Sequence, residues 1–113
     1  MDLTVNETVV DSSTVVEVRG EVDVHSAPQL RDRLAEVVAT KPAAVIVDLS
    51  WLQFIDSTGL GALVATLNAA NSAGVEFKLA CKAEKLLKIF RITGLHEVFD
   101  IHPTVEQALA SIG

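Results

Sequence analysis

The sequence predicts an α/β fold, a mixed β-sheet with an N-terminal hairpin and about four helices. Short β-branched or apolar runs, which are typical of strands, alternate along the chain with segments whose apolar residues recur at helical spacing. The predicted order is β-β-α-β-α-β-α-β-α, and strands separated by helices pair in parallel through right-handed crossovers. The first two strands follow one another directly, which favours an antiparallel hairpin.

Two β-branched stretches near the N-terminus, residues 3–10 and 14–20, form the predicted hairpin, with a three-residue turn between them. A helix follows, because Ser26 and Gln29 have the spacing of a capping box and Pro28 falls in the first turn, where its missing N–H is tolerated. The apolar face of this helix is formed by Leu30, Leu34, Val37 and Val38.

The central part of the chain contains the most apolar predicted strand, residues 43–49, whose composition is typical of a strand covered on both faces. Residues 50–56 are predicted to connect it to a helix that begins at Ser57 or Thr58 and ends at Gly74. The apolar stripe of this helix is formed by Leu60, Leu63, Val64 and Leu67.

The last third of the chain contains two more predicted strands, residues 75–81 and a short one within 96–102. A helix over about 83–91 lies between them, and the turn residues that follow it end the helix. A final helix is predicted to start at Thr104, with Gln107 three residues later in the position that favours a cap.

Length, charge and composition limit the class of protein. At 113 residues the chain is expected to be one complete domain, residues 1–113. Its net charge of −6 argues against nucleic-acid binding, which needs a basic surface. No apolar run approaches the roughly 20 residues of a membrane span, and no signal-peptide pattern is present, so we expect a cytoplasmic protein without a membrane partner. Cys81 is expected to be an inert core thiol, and Trp51 to pack against the sheet.

The candidate functional site follows the strand at 43–49. In an open α/β sheet, functional groups gather beyond the carboxyl ends of the strands, where loops lead into helices. Asp56, Ser57 and Thr58 occupy such a position, and Asp23, which follows the second strand, is expected at the same end. A hydroxyl at this point either only caps the helix, which contributes about 1 kcal/mol, or also takes part in function.

The helix behind this motif is unusual because no charged residue lies between Ser57 and Val75. An exposed helix normally carries charged side chains opposite its apolar stripe. The face away from the stripe is instead small and uncharged, and it consists of Gly61, Ala62, Ala65, Thr66, Asn68 and Ala69. Such a face is either buried by the rest of the fold or kept clear for a partner.

Catalytic and metal-binding patterns are weak in this sequence. A nucleophile elbow needs G-x-S-x-G, but Ile55 occupies the place of the first glycine. His25, His96 and His102 show neither a triad pattern nor metal-ligand spacing, so we expect no catalytic residue, no metal and no cofactor. The Gly-Leu-Gly run at 59–61 matches half of a dinucleotide-binding fingerprint, which leaves nucleotide or small-ligand binding as an alternative.

Three stretches of the chain together resemble a known family. They are GEVDVHSAPQLRDRL at 20–34, VIVDLSWLQFIDSTGLGAL at 45–63 and LLKIFRITGLHEVFDIH at 86–102. The motif D-S-[ST]-G-L-G after an apolar strand, with G-E-[LIV]-D upstream, is a specific combination. With this combination of motifs, the sequence resembles the anti-sigma factor antagonists, which are bacterial proteins built on the STAS domain. The resemblance covers nearly the whole chain, and the matching stretches come in the same order.

The resemblance implies a protein that catalyses nothing and acts by switching partners. In this family the unmodified antagonist binds an anti-sigma factor that is also a serine kinase, and the sigma factor is released. The kinase then uses ATP to phosphorylate the serine after the aspartate of the motif, which is Ser57 here, and Thr58 is the less favoured acceptor. A PP2C-type phosphatase restores the active form. The partner-binding residues that we assign on this basis are Asp23, Asp56, Ser57, Thr58, Gly59, Gly61, Ala62 and Ala65.

The start of a helix is a place where a phosphate on Ser57 should be tolerated. Free N–H groups and the positive end of the helix dipole both favour an anion there. At a docking surface, by contrast, the added charge and its hydration oppose binding. We therefore expect a local switch that leaves the backbone almost unchanged.

Overall fold

The structure is a computed structural model that describes residues 2–113. Its strands are β1 (Leu3–Val10), β2 (Ser13–Val22), β3 (Ala44–Ile55), β4 (Glu76–Ala80) and β5 (Asp100–His102). Its helices are α1 (Ala27–Ala39), α2 (Ser57–Ala73), α3 (Glu84–Ile92) and α4 (Val105–Ala110), with a short 3-10 helix at Leu95–Glu97. The strands lie side by side in chain order, β1 antiparallel to β2 and every other pair parallel. The predicted mixed sheet with an N-terminal hairpin is confirmed.

The two faces of the sheet are covered unequally. The side chains of α1, α2 and α3 pack with the strands into one large core on one face, with Leu34, Leu63 and Phe90 fully buried. On the other face, α4 contributes Ala108 to a small second cluster around Ile46. All six residues 44–49 of β3 are buried, which confirms the prediction of a strand covered on both faces.

Strand β3 is longer than predicted, and the expected connection at 50–56 is wrong for all but its last residue. The chain stays extended to Ile55, because β2 continues to Val22 and gives it a parallel partner. Two shifts of register interrupt the pairing, one on either side of the Arg19–Trp51 pair. Such bulges turn a strand and change the direction in which its side chains point.

The prediction that Trp51 packs against the sheet is also wrong. Its side chain lies on the open part of the sheet surface and is 51% exposed. The guanidinium of Arg19, on the neighbouring strand, lies 4.7 Å from the centroid of the Trp51 ring, in cation–π contact. Arg19 is held by Glu17, whose carboxylate oxygen is 2.6 Å from Nε of the arginine.

The ends of the elements follow their local chemistry closely. The hairpin turn contains two residues rather than the predicted three, since Val10 already pairs with Ser13. Gly74 ends α2 in the left-handed conformation, with φ 72°, as predicted. Thr104 caps α4, its hydroxyl accepting a hydrogen bond from the amide of Gln107 at 3.1 Å, which confirms that cap.

A buried lysine joins β4 to the edge strand β5 through an ion pair with a half-exposed aspartate. Lys78 is 5% exposed, and its Nζ lies 2.7 Å from Oδ2 of Asp100 and 3.3 Å from Oε1 of Glu76. The hydrogen bond from Lys78 holds the pKa of Asp100 below its usual 3.8, and a second bond to His102 acts in the same direction. Burial opposes the charge on Lys78, but its two carboxylate partners outweigh burial and raise its pKa above 10.5.

This ion pair should make stability depend on pH in acid. The folded pKa of Asp100 is lowered, so its carboxylate contributes stability above the unfolded pKa of about 4, and this is lost as the pH falls through the folded pKa. We expect the difference in free energy of unfolding between the wild type and Asp100→Asn, measured by urea denaturation, to shrink steadily below that pH. A difference that keeps its size in strong acid would contradict this assignment.

Candidate functional site

The carboxyl ends of β2 and β3 meet at one edge of the sheet. Val22, the last residue of β2, pairs with Ile55, the last residue of β3. The amide of Asp56 then donates to the carbonyl oxygen of Val22 at 3.1 Å, which ties the two strand ends together. The prediction that Asp23 and Asp56 lie at the same end of the sheet is therefore confirmed.

The turn from β2 into α1 is organised by Asp23. Its Oδ1 accepts hydrogen bonds from the amides of His25 at 2.9 Å and Ser26 at 3.0 Å. Its carbonyl oxygen accepts the amide of Ala27 at 2.8 Å, which begins the helix. The bond from the amide of Ser26, with those from His25 and the Ser26 hydroxyl, holds the pKa of Asp23 below its usual 3.8, so this side chain carries a negative charge at neutral pH.

The predicted capping box of α1 does not form. The hydroxyl of Ser26 is buried and donates to the carbonyl oxygen of Glu21 at 2.9 Å, while it accepts from the amide of Asp23 at 3.0 Å. The side chain of Gln29 donates to the carbonyl oxygen of Leu3 at 3.3 Å instead of reaching back to the helix start. Ser26 thus holds the turn before α1 closed rather than capping the helix.

The cap of α2 is Asp56, not Ser57 or Thr58 as predicted. Asp56 is extended, with φ −103° and ψ −172°, and its Oδ1 accepts from the amides of Thr58 at 3.0 Å and Gly59 at 3.1 Å. The hydroxyl of Thr58 donates to the same oxygen at 2.5 Å. A carboxylate in this position neutralises the free amides and the positive end of the helix dipole.

The pKa of Asp56 is lowered from its usual 3.8 by this arrangement. The hydrogen bond from the Thr58 hydroxyl is the main favourable cause, followed by the bonds from the amides of Gly59 and Thr58. Burial and the like charge of Asp23 act in the opposite direction but are outweighed by these hydrogen bonds. The edge of the sheet therefore presents two negative charges at neutral pH.

Ser57 is the first residue of α2 and is exposed. Within residues 2–113 its hydroxyl forms no hydrogen bond, although the residues on both sides of it are bonded to each other. Packing holds the backbone beneath it, because Gly59 lies so close to β2 and β3 that an added Cβ would be 2.6 Å from both Val22 Cγ1 and Ile55 Cγ1. Ser57 is thus a free hydroxyl on a rigid support.

A groove of about 410 Å³ lies beside Ser57, between the starts of α1 and α2. Its lining combines small or apolar residues with one cation, one carboxylate and one hydroxyl, and comprises Val24, Ala27, Pro28, Arg31, Asp32, Thr58 and Gly61. Val24 stands out among these residues, since it is an aliphatic side chain that is 60% exposed. A Cβ added to Gly61 would have nothing within 4 Å, so the fold itself does not require a glycine there.

Some residues on the uncharged face of α2 are buried, and others are exposed. Ala62 and Thr66 are 1% and 3% exposed, so the interpretation of a broadly buried helix holds for these two residues. Gly61, Asn68 and Ala69 remain exposed, and Ala65 is intermediate. The surface that α2 presents to solvent is therefore narrower than its composition suggested, and it is still free of charge.

The histidines do not join this site in any hydrogen bond that the structure describes. His25 is exposed in the turn before α1 and contacts Asp23 through its backbone. His102 lies on the edge strand, where Nε2 is 2.9 Å from Asp100 Oδ1 and 3.3 Å from Ser111 Oγ. A catalytic relay needs the acid and the hydroxyl on different ring nitrogens, so this cluster, which sequence spacing could not reveal, lacks the geometry of a triad.

Two further expectations concern the thiol and the membrane. Cys81 is 2% exposed, and burial raises the pKa of its thiol above 9.0, which disfavours the reactive thiolate. The core position predicted for it is confirmed. Across residues 2–113 we find no cluster of side chains suited to holding a metal ion, and none of the helices has the length and apolar composition that crossing a membrane requires.

The fold and site together define a small α/β domain that presents a capped helix, a free hydroxyl and a groove on one edge of its sheet. The model of the STAS domain family matches residues 1–108 of the chain. An anti-sigma-B factor antagonist of Bacillus subtilis is 40% identical over 86 residues, which cover 76% of this chain and 78% of that protein. One from Staphylococcus aureus is 31% identical over 106 residues, covering 94% and 98% of the two chains.

A solved structure agrees with these matches. The crystal structure of an anti-sigma factor antagonist from Mycobacterium paratuberculosis has a TM-score of 0.84 and 32% identity to this chain, and covers 98% of it and 94% of that protein. The chain belongs to the STAS domain family. The predicted resemblance to the anti-sigma factor antagonists is confirmed.

Proposed function

We propose that this protein is an anti-sigma factor antagonist that is switched off by phosphorylation of Ser57. In its unmodified form it binds an anti-sigma factor serine kinase and so releases a sigma factor. The kinase transfers phosphate from ATP to Ser57, which ends the complex, and a PP2C-type phosphatase removes it. The protein itself acts by binding, as one cytoplasmic domain over residues 1–113, without nucleic acid, membrane, metal or cofactor.

The observation that carries this proposal is the state of the Ser57 hydroxyl. It is exposed and unbonded within residues 2–113, and the next residue, Thr58, lines a groove. A kinase has to reach the acceptor hydroxyl and align it with a phosphorus atom, and a free hydroxyl on a rigid turn meets both needs. Relatives named anti-sigma-B factor antagonists, at 31% and 40% identity, support the same function.

The contact surface that we propose comprises the exposed members of the predicted set, with the buried members as its support. Thr58 and Gly61 line the groove directly, and Asp23 and Asp56 carry negative charge at the adjacent ends of β2 and β3. Gly59 and Ala62 are buried, so they act by letting α2 pack closely rather than by contact. We therefore assign partner contact to the rim around Ser57 and to the groove.

Phosphorylation can be tested directly. Incubation with the cognate anti-sigma kinase and ATP should add one phosphate, which peptide mass spectrometry should locate on Ser57. The variant Ser57→Ala should take up no phosphate, while Ser72→Ala, a change at an exposed serine near the other end of α2, should behave as the wild type. Phosphate on Ser57→Ala in the wild-type amount would contradict the proposal.

Nucleotide or small-ligand binding is the second candidate, because the groove adjoins the start of a helix and contains one cation, Arg31. Two of the amides that would hold a phosphate are already bonded to Asp56, and Asp32 lies beside Arg31. An incoming phosphate would therefore have to displace a carboxylate. Titration calorimetry of the isolated protein with ATP and GTP decides the question, since tight binding would favour this candidate over the first.

A further inference from the structure

Two adjacent hydroxyls at the start of α2 differ in their bonding. Ser57 and Thr58 are both exposed and both chemically able to accept a phosphoryl group. Thr58 Oγ1 donates to Asp56 Oδ1 at 2.5 Å, and the same oxygen holds the amides of Thr58 and Gly59. The hydroxyl of Ser57 has no partner among residues 2–113. The one hydrogen that Thr58 can donate is therefore already committed.

We infer that Thr58 is a positioning residue: its hydroxyl locks Asp56 as the cap of α2, and this bond leaves Ser57 as the single acceptor hydroxyl. The inference rests on the proposed phosphorylation and deepens it, because it explains which of two neighbouring hydroxyls the kinase uses. It assigns to Thr58 a role inside the protein in addition to its place in the lining of the groove.

The phosphoryl-transfer reaction explains why the hydrogen bond between Thr58 and Asp56 favours Ser57 as the acceptor. In the reaction the acceptor oxygen forms a bond to the γ-phosphorus of ATP, the bond from that phosphorus to the β–γ bridging oxygen breaks, ADP leaves, and the hydroxyl proton passes to a base of the kinase. Ser57 can enter this reaction without losing a bond. Thr58 would first have to give up a hydrogen bond to a charged group, which should slow its reaction by roughly ten- to a hundredfold.

The phosphorylated product also favours Ser57 over Thr58. A phosphate on Thr58 would stand against the Asp56 carboxylate that the hydroxyl now touches, and the two anions would repel each other. It would also weaken the cap, since Oδ1 of Asp56 bonds the amides of Thr58 and Gly59 from the same position. On Ser57, the added group can turn outward without breaking the cap.

The first test needs no kinase. The pKa of the Asp56 carboxyl is measured by NMR titration of its side-chain carbon in the wild type, Thr58→Val and Thr58→Ser. We expect Thr58→Val, which has the same shape without the hydroxyl, to raise the pKa of Asp56 towards its ordinary value. Thr58→Ser should keep it low. An unchanged pKa in Thr58→Val would overturn the inference, and Thr58→Ala replaces that variant if it does not fold.

The second test locates the phosphate. After incubation with the cognate anti-sigma kinase and ATP, the wild type should carry phosphate on Ser57 and not on Thr58. Ser57→Ala should carry no phosphate at the end of the same incubation, because any reaction of Thr58 should be at least roughly tenfold slower than that of Ser57 in the wild type. Reaction of Thr58 at a comparable rate would overturn the inference. Absence of phosphate from every residue of the wild type would instead refute the proposed function. The NMR titration would then still show whether the Thr58 hydroxyl holds the Asp56 carboxylate.

Discussion

Phosphorylation of Ser57 is expected to weaken binding to the anti-sigma kinase by roughly 3–4 kcal/mol, a few hundredfold or more in Kd. The phosphate adds a charge of about −1.5 to −2 at a surface that already carries two carboxylates, those of Asp23 and Asp56. The amides of Thr58 and Gly59 are bonded to Asp56, so the phosphate finds fewer free amides at the helix start than the sequence suggested. It therefore stays at the surface, where a partner would have to desolvate it.

Calorimetric titration of the kinase with unmodified and phosphorylated protein measures this effect. Ser57→Asp should reproduce much of the loss, whereas Ser57→Asn, of nearly the same shape without the charge, should lose far less. Ser72→Asp places an equal charge near the other end of α2 and should bind as the wild type does. If Ser57→Asp binds as tightly as the unmodified protein, the switch is wrong.

The change on phosphorylation should also be local. The hydroxyl of Ser57 bonds to no other residue within 2–113, and the cap formed by Asp56 does not depend on it. Amide NMR shifts should therefore move around Ser57 and the groove and leave the far end of α2 unchanged. A phosphorylated structure in which α2 is unfolded would contradict the local switch.

The location of the site could be predicted from sequence because it follows from topology. Parallel strands separated by helices end at the same edge of a sheet, so two turns that each follow a strand had to meet there. The two strand ends meet where Val22, the last residue of β2, pairs with Ile55, the last residue of β3. The charge-free composition of α2 likewise indicated a special surface, although only the structure separates buried Ala62 from exposed Gly61.

The residue that caps α2 could not be predicted from sequence. Asp56, Ser57 and Thr58 are all residue types that favour this position. The choice depends on where β3 stops, and β3 stops where β2 stops, after Val22. Because that end point is a property of two strands together, no local pattern in either strand contains it.

The predictions that Trp51 packs against the sheet and that Ser26 caps α1 were wrong for the same kind of reason. A shift of register just before the Arg19–Trp51 pair brings Trp51 to the open face of the sheet, and a regular alternation cannot anticipate it. Ser26 has the residue type and spacing of a cap, but the carbonyl oxygen of Glu21 lies within 2.9 Å and takes its hydroxyl. Tertiary partners overrode a local preference at both positions.

Gly59→Ala and Gly61→Ala, two residues apart on α2, should have opposite effects on stability. The Cβ of Gly59→Ala would be 2.6 Å from Val22 Cγ1 and Ile55 Cγ1, both on buried β-branched side chains that cannot easily move aside. We expect a loss of about 1–3 kcal/mol in the free energy of unfolding. Gly61→Ala meets nothing within 4 Å, and alanine should stabilise the helix by up to about 1 kcal/mol. Urea denaturation of the two variants measures both effects.

The variant Gly61→Ala should also show whether the partner binds in the groove. An exposed glycine inside a helix lowers stability, and the fold of this protein makes no use of the space that Gly61 leaves. If a partner uses that space, Gly61→Ala puts a methyl group into the contact and should weaken binding to the kinase about tenfold or more. Asn68→Ala, about two turns further along the exposed side of α2, is the matched control and should bind normally. A more stable Gly61→Ala protein that binds with full affinity would show that the partner does not enter the groove, and would move the contact surface to the rim around Ser57 alone.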